Sequence, residues 1–146
     1  MGQHIFVNLP ISDLPRARAF YAALGLAFDE RFSDDSSACV VISDQIKIML
    51  LARDKFAEFA PRPVGHPSRE TSVLVALSCD SRAAVERFME AGLGAGGSDN
   101  GKVQDYPFMY GRSISDPDGN VLEPMWMDVT AYERTLGDEL NSAIDA

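Results

Sequence analysis

Apolar and polar positions alternate between two spacings along this chain, and the switch recurs. Residues 4–10, HIFVNLP, form a short apolar run closed by turn signals, which predicts a strand. In SDLPRARAFYAALGL the spacing becomes helical: Leu14, Ala17, Phe20, Tyr21 and Leu24 fall on one face. Ser12 or Asp13 can cap that helix, Pro15 suits its first turn and Gly25 its left-handed stop. Extended runs are predicted over 27–32, 38–42 and 45–51, with a tight turn at Ser43-Asp44.

The pattern then pauses and restarts. ARDKFAEFAPRPVGHPSRE holds three prolines and one glycine, with at most a helical turn around Phe56 and Phe59. It is either a plain surface crossover or a lid over a cavity. TSVLVALSC predicts a strand and DSRAAVERFMEAGLG a helix, with Asp80 or Ser81 as cap and Gly92 as stop. A weak strand is expected at 93–96. Residues 108–115 and 120–127 read as a hairpin joined by DPDG. The tail, 129–146, is expected to form a peripheral helix frayed beyond Leu140.

The chain is therefore a repeat. Setting Asp13 on Asp80 also sets Gly25 on Gly92 and Leu26 on Leu93, a constant offset of 67. The unit is βαβββ used twice: module one at 3–52, a connector at 53–70, module two at 71–128. An open sheet of this kind leaves one apolar face and an edge uncovered, and pairing the modules hides both. The expected class is α+β, a single domain over 1–128 in which a curved, partly closed mixed sheet forms a cup with helices outside.

Composition narrows the partners. With 146 residues, 46% hydrophobic and 24% charged, the chain has the make-up of a globular domain. A net charge of −9 opposes phosphate binding, so nucleic acid is not an expected partner. No stretch of 18 apolar residues and no basic leader occurs, so no membrane role is expected and the cytoplasm is the expected compartment. Cys39 and Cys79 lie in apolar runs and read as buried thiols; Asp80 beside Cys79 discourages a thiolate, and no nucleophilic site is evident.

DLPRARAFYAALGL, VALSCD and DPDGNVLE, set in a doubled βαβββ unit, resemble the vicinal oxygen chelate superfamily. That group includes glyoxalase I, bleomycin and fosfomycin resistance proteins, and extradiol dioxygenases. The resemblance covers the chain up to about Asp128. It implies four converging positions in the cup, one on the first and one on the last strand of each module, where metal-using members carry donors such as His, Glu or Gln. Here those positions fall on Phe6, Met49, Leu74 and Glu123.

Only Glu123 is a donor for a hard or borderline divalent ion. Slipping either first strand by one residue offers only Ile5 or Val7, and Val73 or Val75. No cofactor is therefore expected. A site assembled from His4, His66 and Glu123 is the metal-binding alternative, since these are the only two histidines.

Without an ion, Glu123 needs another partner. Phe108, Tyr110, Arg112 and Ile114 share a face, and the DPDG turn is expected to bring Arg112 to Glu123, as a ligand anchor or as an internal ion pair. Lys47 is either a second cation in the cup or a lysine reaching to water. Asn8 can offer an amide beside Phe6, and Met49, Leu74, Tyr110 and Met125 apolar walls. Trp126 is expected to face away. These residues lead to a homodimer binding a small, partly apolar molecule. The alternative is a divalent-metal lyase of the glyoxalase kind, or a dioxygenase, in which Glu123 is a ligand or the catalytic group.

Overall fold

The computed structural model describes residues 2–145. Module one comprises β1 (Ile5–Ile11), α1 (Leu14–Ala23), β2 (Ala27–Phe28), β3 (Ser37–Val41) and β4 (Ile46–Ala52), followed by α2 (Arg53–Phe59). Module two comprises β5 (Leu74–Ser78), α3 (Arg82–Gly94), β6 (Ser98–Tyr106), β7 (Met109–Ser115) and β8 (Val121–Met127), followed by α4 (Val129–Asp145). The sheets run β1-β4-β3-β2 and β5-β8-β7-β6. In each the outer first strand pairs parallel with the last, β1 with β4 and β5 with β8, and the remaining pairs are antiparallel. The architecture is α+β, two four-stranded mixed sheets with helices. No backbone ladder joins β1 to β5 among the described residues.

Local chemistry explains the element ends. The Arg16 amide donates to the Asp13 carboxylate at 3.0 Å, so Asp13 is the cap of α1. Ser81 caps α3 through the Ala84 amide at 3.0 Å. β2 is shorter than the 27–32 expected, because the Asp29 side chain accepts from the Arg31 amide and starts a 3-10 turn.

Gly92 does not stop α3. It lies inside the helix, where a Cβ would stand 2.5 Å from the Ile114 side chain and 3.3 Å from Leu24. Its role is close approach, and the left-handed stop belongs to Gly96 at φ +101. The strand expected at 93–96 is accordingly helix end and turn, and the real strand, β6, begins at Ser98.

Leu9, Ile11, Phe20, Tyr21, Val40, Ile48, Leu50, Met89, Ile114 and Leu122 are all buried in one core cluster. Fully burying such side chains stabilises by about 1.5–3 kcal/mol each, before the entropy cost of ordering them. The modules are also tied by polar contacts around the turn between β7 and β8. Tyr21 Oη donates to Asp116 at 2.9 Å, Asn120 Nδ2 to the Pro10 carbonyl at 3.0 Å, and Ser12 Oγ to Asp118 at 2.6 Å. Burial pushes the Asp116 carboxyl above its ordinary value, and burial together with Asp116 pushes the Tyr21 hydroxyl up. No helix is long and apolar enough to cross a membrane among the described residues.

Candidate functional site

Strand alternation sorts the candidate residues into two groups. On the first sheet Phe6 pairs with Lys47 and Asn8 with Met49. All four lie on the face opposite the buried Leu9, Ile11, Ile48 and Leu50. On the second sheet Leu74 pairs with Val121, Ala76 with Glu123 and Gly111 with Met125, on the face opposite Ile114 and Leu122. These faces turn away from the core. They are open: Phe6 is 49% exposed and Leu74 58%.

Glu123 is half-buried in a hollow of about 140 Å³ whose lining includes Lys102, Gln104, Met109, Met125 and part of Arg112. No salt bridge reaches it among the described residues. The expected pair with Arg112 does not form. Ile114 stands opposite Leu122, so Glu123 shares its face with Gly111 and Ser113, while Tyr110 and Arg112 point to the helix side.

There Arg112 donates to both Glu86 carboxylate oxygens, at 2.7 and 3.0 Å, and to Asp99 at 2.7 Å; the Tyr110 hydroxyl donates to Glu86. Tyr110 and then Arg112 hold the Glu86 carboxyl below its usual range, and Glu86 raises Arg112. The guanidinium of Arg82 lies 5.2 Å from the Tyr110 ring centroid and 5.3 Å from that of Trp126. Glu86 and Arg82 were not among the sequence candidates. The available signal was that Ile114, a core residue, shares a face with Tyr110 and Arg112.

A third region lies where the modules meet. Leu9, Pro10, Phe56, Pro67, Gly119, Asn120 and Val121 line the inner part of a cavity of about 200 Å³, with Asn8, His66 and residues 70–73 at its mouth. His4 lines a separate shallow hollow with Gln3, Ile5, Gln45 and Ile46. His4, His66 and Glu123 thus line three different hollows, and the triad is not assembled. No three of His, Cys, Asp and Glu gather to hold an ion among the described residues. Cys39 and Cys79 are free, and burial pushes both thiols up.

Residues 3–43 match a family model described as bleomycin resistance protein-like N-terminal. Similar solved structures include a glyoxalase/bleomycin resistance protein/dioxygenase family enzyme from Burkholderia phytofirmans PsJN, at 18% identity and TM-score 0.70 over 86% of this chain and 99% of that one. The chain shares the fold of this glyoxalase/bleomycin resistance protein/dioxygenase structure. A glyoxalase-related enzyme from Fulvimarina pelagi is 22% identical, TM-score 0.72, over 86% of this chain and 88% of that one. Lactoylglutathione lyase from Agrobacterium tumefaciens is 17% identical, TM-score 0.65, over 88% and 96%. No curated protein matches the sequence.

At the four positions that the sequence resemblance singles out, the donor set does not fit a chelated divalent ion. Phe6 and Leu74 present hydrocarbon, Met49 a thioether, and Glu123 alone an oxygen donor. Nor do the four share one hollow: Phe6, Met49 and Leu74 line none of the three just described.

Proposed function

We propose that the chain binds a small, partly apolar molecule in its cup without a chelated divalent ion, and that a second copy completes that cup. The donor chemistry of Phe6, Met49, Leu74 and Glu123 carries this reading: three of the four groups favour hydrocarbon over an ion. The second copy is argued from size and exposure. The Glu123 hollow, about 140 Å³, holds only part of a drug-sized ligand, whose sites occupy roughly 300–1,000 Å³. Phe6 and Leu74, both about half exposed, leave large apolar groups uncovered on the open faces. Setting the first sheet of one copy over the second sheet of another covers both. Within the cup Glu123 accepts hydrogen bonds from the ligand, Lys47 and Asn8 offer donors, and Phe6, Met49, Leu74 and Met125 form the walls.

Light scattering combined with fluorescence of the apolar dye 1-anilinonaphthalene-8-sulfonate tests both parts. The wild-type chain should have a dimer's mass and bind dye equally with and without EDTA. Phe6→Asp, at an exposed position that tolerates polarity, should shift the mass toward one chain and weaken dye binding several-fold. A monomeric wild type would refute closure by a second copy, and dye binding lost in EDTA would refute metal independence.

A further inference from the structure

The geometry points to a second small-molecule site, at the junction of the modules within one chain, for an uncharged, apolar molecule carrying one hydrogen-bonding group. It goes beyond the cup reading and does not depend on a second copy.

The junction cavity is built at both ends. On one side Arg53, at the start of α2, donates to the Gly65 carbonyl at 2.9 Å and the Val64 carbonyl at 3.2 Å, pinning the later part of the connector to α2, which itself packs on β1 and β4 of the first module. On the other side the turn before β8 presses against the connector at Gly119. A Cβ there would stand 2.6 Å from the Ser68 amide nitrogen and 2.7 Å from the Pro67 carbonyl carbon, and Gly119 has φ +98. Only glycine meets both demands. Between these anchors the His66 carbonyl accepts from the Arg69 and Glu70 amides at 2.9 and 3.1 Å, closing the connector into a turn. The wall is therefore held from both modules.

The lining sets the ligand class. Inside are Leu9, Pro10, Phe56, Pro67 and Val121, all apolar, and Asn120, whose Nδ2 already donates to the Pro10 carbonyl and to Asp116. A charge placed there would meet no counter-charge and lose its water. The mouth carries the Asn8 carboxamide, His66 and Glu70, all exposed, which can hydrogen-bond one polar group of a ligand. A volume of about 200 Å³ suits roughly ten non-hydrogen atoms at organic packing density.

Indole, an uncharged bicycle with one N–H donor, is the probe. Titrated into the ¹⁵N-labelled full-length chain, it should shift the amides of Gly65, Gly119 and Val121 and bind in the millimolar range or tighter. Val73→Trp, at a position that is 53% exposed and therefore free of packing demands, should fill the mouth and weaken indole at least about tenfold. Phe6→Asp, which opens the cup, should leave indole affinity unchanged, so failure of the cup reading and failure of this one are told apart. The proposal is overturned if indole does not bind, if its shifts centre on Gly111, Ser113 and Glu123, or if Val73→Trp binds it as well as wild type.

Discussion

The two modules share a topology and differ in what holds them. In module one the interior is hydrocarbon: Leu9, Ile11, Phe20, Val40, Ile48 and Leu50 are buried, and α2 folds back onto β1 and β4. Module two contributes fewer buried apolar side chains, chiefly Val85, Met89, Ile114 and Leu122. Its outer strand, β6, is exposed at every position. Charged ties fasten that strand: Arg112 joins Glu86 to Asp99, and Arg82 joins α3 to Asp105 at 2.7 Å. The helix that follows, α4, meets the rest of the chain at its first turns, where Tyr132 packs on Phe108 with centroids 5.2 Å apart. One repeat unit can therefore be stabilised by area in one copy and by electrostatics in the other.

Substitutions should separate the two regimes. Ile48→Ala, in the oily half, should lower stability by about 2–4 kcal/mol, read from the urea midpoint, because it leaves a cavity in close packing. A loss below about 1 kcal/mol would contradict the division. Arg112→Ala should cost less, about 1–2 kcal/mol, because Glu86 and Asp99 keep part of their water once the guanidinium is gone. Native-state hydrogen exchange should show the opening confined to β6 and β7.

The pH dependence carries the same division in its signs. Glu86 and Asp99 are held below their ordinary values, so the unfolded chain takes up their protons first on acidification. Their contribution is complete above the ordinary carboxylate range and is lost as pH falls through the lowered values. Arg112→Ala should shrink this acid loss. Asp116 has the opposite sign: its value is raised, so its contribution is greatest at low pH and declines as pH rises through the ordinary value to the raised one. Asp116→Asn should flatten that decline, seen in urea midpoints across pH. The smallest effect belongs to Leu140→Asp on α4, where the side chain is 66% exposed; stability should stay within about 0.5 kcal/mol of wild type.

The same asymmetry explains what could be read without coordinates. Helix α1 and strands β1 and β4 announce themselves because each buries a periodic apolar face, and β3 because it is a short, almost wholly buried run. Strand β6, SDNGKVQDY, buries no face and so carries no alternation to detect. Gly92 resembled Gly25 by position, yet its purpose is contact with Ile114, which only the packing of α3 on β7 reveals. The orientation of Arg112 depended on the register across the turn between β7 and β8. A slip of one residue there separates an Arg–Glu123 pair from the Arg–Glu86 pair that forms. The junction cavity joins β1, α2, the connector and the start of β8, pieces far apart in sequence, so no local pattern marks it. The apolar character of the cup positions, in contrast, depends on residue identity alone and is visible in the sequence.

That character is most directly tested by metal analysis of protein purified without chelator, followed by calorimetric titration with Mn²⁺, Ni²⁺ and Zn²⁺. The account predicts well below one equivalent of any of these ions per chain and no saturable heat that Glu123→Gln removes. A stoichiometric ion, stripped by EDTA and lost in Glu123→Gln, would contradict it.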